Sequence, residues 1–170
     1  MTEVRDLKRL IFLVAIVAMV AGMATVPTTA KAERLGQFGI QGGYSGDADW
    51  FIGARSELGG SKLFERSRVA LDFNWFFPGG KANLFDFDLN YHWPLTTLAD
   101  NANSDMYIGG GANLGRSWVS DVDDSGNWSF GLNALGGLHW DLGGRAAFLE
   151  GGYTFFSDFD QWRITVGFLL

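Results

Sequence analysis

From Phe85 to Trp93 the chain alternates without a break between apolar and polar residues. Phe85, Phe87, Leu89, Tyr91 and Trp93 fall on one face of an extended strand, and Asp86, Asp88, Asn90 and His92 on the other. A period of two is a strand signature, because successive side chains of a strand point to opposite sides. Val69–Trp75 repeats the pattern, and so do the last residues, where Trp162, Ile164, Val166, Phe168 and Leu170 oppose Arg163, Thr165 and Gly167. Weaker versions fill the rest. The alternation predicts strands over 36–44, 49–58, 68–77, 83–93, 105–114, 127–140, 145–155 and 161–170. They are separated by Gly-, Pro-, Ser- and Asp-rich turns. Each is close to the ~9–11 residues that cross a bilayer at a tilt. Eight strands are the smallest usual closed membrane barrel.

An alternating barrel can face either way, and the charges choose. A soluble barrel solvates its polar face, which then carries Lys and Glu. After residue 32 the chain has two lysines, Lys62 and Lys81, and both fall in turns. The polar phase is built from Gly, Ala, Ser, Asn, Gln and Asp, which suit a crowded interior. The apolar phase is nearly free of charge and rich in rings. Trp50, Tyr91, Trp93, Trp128, Trp140 and Trp162 lie near strand ends, where a girdle at a membrane interface belongs. The absence of Cys excludes a disulfide scaffold and a thiolate metal site. A net charge of −6 argues against a nucleic-acid partner.

The first thirty-two residues read differently. Arg5, Lys8 and Arg9 precede an uncharged apolar run, Leu10–Ala24, followed by Pro27 and the small-x-small site Ala30-Lys31-Ala32. This is the order of a secretory signal, and the run is shorter than the ~18–20 residues of a spanning helix. The sequence therefore predicts a cleaved signal peptide at 1–32 and one barrel domain at 33–170.

The signal segment, the eight alternating strands and the terminal run Trp162–Leu170 resemble the small outer membrane β-barrel proteins of Gram-negative bacteria. That superfamily includes opacity-type porins and the outer membrane proteins A and X. Tyr107–Asn113 and Phe148–Tyr153 are similar to strands of the same group. The resemblance implies an all-β, eight-stranded antiparallel up-and-down transmembrane barrel. It also implies insertion by the barrel-assembly machinery and a home among outer membrane lipids.

The polar phase supplies the candidate site. It places Arg55, Asp72, Asp86, Asp88, His92, Glu150 and Arg163 in the lumen, together with Gln41, Glu57, Arg68, Asn74, Asn90, Asn133, His139 and Thr165. Buried ions need partners, and guanidinium forks match carboxylates. Glu150 and Arg163 lie on adjacent strands and are expected to pair. A lumen this narrow fills with its own side chains, so a structural network is favoured over a conduction path. Phe51, Phe76, Leu84, Tyr107, Leu135 and Phe148 share the inward phase with many glycines. Large packed against small accounts for that mixture, and so does a water-filled cavity.

Enzyme signals are poor, and no cofactor motif is present. Lipid A deacylases of the barrel type place a His two residues before a Ser, whereas His92 precedes Trp93-Pro94 and His139 precedes Trp140-Asp141. Asp121 and Asp123 begin a run like a calcium loop, but position twelve is Leu132 rather than Glu, so they are only a weak metal candidate. With both termini periplasmic, the acidic outer loops could be bridged by divalent cations to lipopolysaccharide. The function expected is an integral outer membrane protein with a structural or envelope-stabilising role. The alternatives are a porin-like channel for small solutes and a secreted soluble barrel that carries an apolar ligand.

Overall fold

The computed structural model describes residues 36–46, 48–61, 64–78, 82–95, 104–119, 126–156 and 160–170. Residues 1–32, where the sequence predicts a signal peptide, and the weak metal candidates Asp121 and Asp123 lie outside the described residues. Eight strands follow one another in the chain. They are β1 (Gln37–Ser45), β2 (Asp49–Ser61), β3 (Phe64–Phe77), β4 (Ala82–Leu95), β5 (Ser104–Val119), β6 (Asn127–Asp141), β7 (Ala146–Phe156) and β8 (Asp160–Leu169). Each pairs antiparallel with its sequence neighbour, and β1 pairs with β8, so the sheet closes and leaves no open edge.

The strand expected to end at Leu114 runs five residues further, to Val119. The alternation weakens at Gly115-Arg116-Ser117, but pairing with β4 on one side and β6 on the other holds that stretch extended. The β3 strand likewise begins at Phe64 rather than Arg68. Loop residues join the sheet here because neighbouring strands give their backbone groups partners that local sequence does not reveal.

Closure requires a stagger. Paired positions run from Gln37 through Glu57, Ala70, Asn90, Gly111, Asn133 and Thr154 to Gln161. Arg163 pairs with Ser45, eight residues along β1 from Gln37, and Gln161 lies two residues before Arg163, so the circuit returns displaced by ten residues. Such a shear tilts the strands by roughly 35–45° from the barrel axis. Apart from Gly111, every residue on that path has a buried, inward side chain.

At the end bearing the termini, β6 turns into β7 through Leu142-Gly143-Gly144-Arg145. Both glycines have positive φ, 72° and 105°, as a two-residue hairpin loop demands. Leu142 N–H donates to the Arg145 carbonyl at 2.9 Å, and Gly143 N–H to Asp141 Oδ1 at 2.9 Å. Other glycines make room inside. A Cβ on Gly137 would come within 2.7 Å of the Tyr107 ring and hydroxyl. The same Cβ would stand 2.5 Å from the Leu149 carbonyl oxygen on β7, so Gly137→Ala should displace Tyr107, strain the β6–β7 pairing and destabilise the barrel by about 1–3 kcal/mol in a urea titration.

Candidate functional site

The two faces of the sheet differ in kind. Outward lie Phe38, Ile40, Ile52, Phe87, Leu89, Ile108, Phe130, Leu132, Ile164 and their neighbours, all exposed. Inward, every member of the candidate set is buried: Arg55, Asp72, Asp86, Asp88, His92, Glu150 and Arg163. The charge lies inside and the apolar surface outside, the reverse of a soluble barrel.

The buried ions form two tiers. In the tier nearer the chain termini, Arg55 is the hub. Its Nε donates to Asp72 Oδ1 at 2.6 Å and its Nη2 to Asp72 Oδ2 at 3.1 Å. The same guanidinium donates to both oxygens of Glu150, at 3.1 and 3.3 Å. It also lies 4.0 Å over the Phe148 ring. Arg55 and Asp72 are register partners on β2 and β3, whereas Glu150 reaches in from β7 across the lumen. Tyr107 donates its hydroxyl to Glu150 at 2.8 Å, and His92 stacks on Tyr107 with centroids 4.5 Å apart. Below them Glu57 stands 3.7 Å from Arg55, 3.6 Å from Arg68 and 3.7 Å from His139.

The second tier centres on Asp86 and Asp88, two residues apart on β4. Arg163 bridges them, at 3.3 Å from Asp86 and 2.9 Å from Asp88. Amides complete the shell. Asn74 donates to Asp86 at 2.8 Å and to Asp88 at 3.2 Å. Asn113 donates to the same pair at 3.0 and 2.7 Å. Asn133 donates to Asp88 at 2.7 Å and to Asn90 at 2.8 Å. The tiers are joined where Asn90 donates to Asp72 at 3.4 Å. Two like charges on one face tolerate burial because one guanidinium and three amides aim N–H groups at them.

The expected contact between Glu150 and Arg163 does not form. Register sets Glu150 beside Thr165 and Arg163 beside Gly152, and each ion finds its partner across the lumen instead. Glu150 goes to Arg55, and Arg163 to the β4 aspartates. Asn113 and Thr154 belong to the network and were not singled out from sequence. Asn113 shares its phase with Gly109 and Gly111, and Thr154 shares its phase with Glu150, so alternation was the available signal. Thr154 donates to Asn133 at 2.8 Å.

The two mouths differ. Towards the loops that join β1 to β2 and β3 to β4, Phe51, Phe76, Leu84 and Ala48 form a buried apolar cluster above the second tier. Towards the termini, Arg68 stands 3.8 Å from Asp105, whose side chain is 49 % exposed. Among the described residues, no group of His, Asp and Glu side chains has the arrangement to hold a metal ion.

The rings gather at the two rims. At the loop end, Tyr44 contacts Trp50 and Trp162, with centroids 5.0 and 5.6 Å apart. Nearby, Trp118 lies 5.7 Å from both Trp75 and Phe85, and Phe85 lies 6.0 Å from Trp128. At the other end stand Trp140 and the Tyr91–Trp93 pair, whose centroids are 4.4 Å apart. Trp75 and Trp118 join the rim as well; Trp118 lies in a stretch whose composition predicts a turn but which β5 holds extended.

Phenylalanine at position 107 is a direct test of the first tier. Tyr107→Phe removes the hydroxyl that Glu150 accepts from, while Arg55 stays in place. The expected loss is about 1.5–3 kcal/mol of unfolding free energy, the range for a hydrogen bond to a charged group.

This arrangement, an ionic interior inside an apolar, ring-banded wall, defines an eight-stranded barrel of the outer membrane type. Solved structures agree on the fold. Neisserial surface protein A aligns with a TM-score of 0.60 at 13 % identity, covering 79 % of this chain and 94 % of that one. The N-terminal β-barrel domain of Pseudomonas aeruginosa OprF aligns at 0.56 with 15 % identity, over 81 % of this chain and 98 % of that one. Ail, the attachment invasion locus protein of Yersinia pestis, aligns at 0.54 with 13 % identity, over 80 % and 98 %. All three are small eight-stranded outer membrane barrels, and the likeness is one of fold. No family model matches the sequence, and no curated protein matches it.

Proposed function

We propose that the chain is an integral outer membrane protein of a Gram-negative bacterium, exported by its 1–32 segment, with a structural or envelope-stabilising role. The observation that carries this is the inverted wall. Charged groups are buried in the lumen, while Phe87, Leu89, Ile108, Phe130, Leu132 and Ile164 stand exposed on the outside. In water that surface would drive association; in hydrocarbon it is the matching solvent.

The filled interior supports a structural role over conduction. Arg55 and Arg163 each bridge two carboxylates in the lumen, and Phe51, Phe76 and Leu84 close over the second tier at the loop end. A soluble carrier of apolar ligands needs an apolar cavity, and this interior is ionic.

Fractionation and planar bilayers test the reading. The protein should pellet with outer membranes, resist extraction by salt and carbonate, and leave only with detergent. Reconstituted in a planar bilayer, it should give no steady stepwise current. Release without detergent would contradict the membrane assignment. Reproducible unitary conductance would favour a channel for small solutes.

A further inference from the structure

The outward phase of the barrel is almost devoid of charge. Among the strand residues with described side chains it carries Asp160 at the first position of β8 and Arg116 near the loop end of β5. Arg116 is exposed and projects into the ring cluster at that rim. Its register partners are Phe85 on β4 and Trp128 on β6. The guanidinium lies 5.3 Å over the Trp128 ring. Gly126 lies beside it as well, where a Cβ would come within 3.1 Å of Nη2 and 3.3 Å of Nε. A ring face and a bare backbone therefore seat this cation at the rim. Among the described residues no carboxylate pairs with it.

At the edge of an apolar wall, a lipid phosphate matches this seated cation in charge and position. Acyl chains cover the wall up to this rim, and lipid phosphates lie just beyond it. Arginine presents a planar fork that takes two phosphate oxygens, and the neighbouring rings anchor the same headgroup layer. We propose that Arg116, seated on Trp128 and Gly126, docks the phosphate of an anionic lipid headgroup in the leaflet at the loop end of the barrel. This is a direct contact between guanidinium and phosphate and needs no bridging cation.

The inference rests on the membrane reading above, and the test separates the two. The purified protein is folded in nanodiscs of phosphatidylcholine doped with phosphatidic acid, then transferred to detergent for native mass spectrometry. Wild-type barrel should retain phosphatidic acid over phosphatidylcholine. Arg116→Gln should reduce that preference about fivefold, the scale for one basic side chain at an anionic surface. Arg116→Lys should keep most of it, because the charge remains. An unchanged preference in Arg116→Gln would overturn the site. So would displacement of the bound lipid by inorganic phosphate, which would mark a free-anion site instead. Protein that fails to float with lipid vesicles defeats the membrane reading; protein that floats but selects no lipid defeats the headgroup site alone.

Discussion

Arg55→Ala should unfold at markedly lower denaturant, with a loss of about 3–5 kcal/mol. Arg55 is 1 % exposed and holds Asp72 and Glu150 at once. Its removal leaves two carboxylates facing each other in a space with little water to solvate them. Breaking a buried pair costs more than the pair itself contributes, because the remaining charge keeps its desolvation penalty. The combined change Arg55→Met, Asp72→Asn, Glu150→Gln should therefore cost less than Arg55→Ala alone. Urea titrations in lipid vesicles, read by Trp fluorescence, give both numbers. A single-site loss below ~1 kcal/mol, the scale of an exposed ion pair, would mean that Arg55 is not the hub of its tier.

Phe87→Arg should also be costly, by about 2–4 kcal/mol, the range for a basic side chain at the bilayer midplane. Phe87 is 48 % exposed and packs beside Phe73 on the outer wall, with ring centroids 5.0 Å apart. The direction of this effect is informative. On a soluble barrel, changing an exposed Phe to Arg would be neutral or would aid solubility. In hydrocarbon the guanidinium must be stripped of water or must thin the membrane around it. Phe87→Leu, which keeps the surface apolar, should cost less than ~1.5 kcal/mol in the same vesicles.

The alternation made the strands and their faces legible because it repeats in all eight elements and matches the geometry of a pleated sheet. It placed Arg55, Asp72, Asp86, Asp88, His92, Glu150 and Arg163 in the inward phase, where each is buried. Partner choice was not legible. It depends on register, and register accumulates around the barrel into the ten-residue stagger between Gln37 and the level of Gln161. Glu150 and Arg163 sit on neighbouring strands, yet two long side chains in a narrow lumen reach across it as easily as sideways. The far end of β5 was hidden for a different reason. Gly115, Arg116 and Ser117 read as loop chemistry, and only the flanking strands hold them extended.

The central claim is that this sheet has lipid on one face and its own ionic lumen on the other. The chain has no cysteine, so single cysteines introduced from position 85 to 91 can each carry one nitroxide label. In vesicle-embedded protein, accessibility to oxygen dissolved in the acyl chains should rise and fall with a period of two. It should be high at 85, 87, 89 and 91 and low at 86, 88 and 90. A water-soluble nickel complex should reach none of the outward positions in the apolar band. Labels at 87 and 89 that collide with the nickel complex rather than with oxygen would contradict the account.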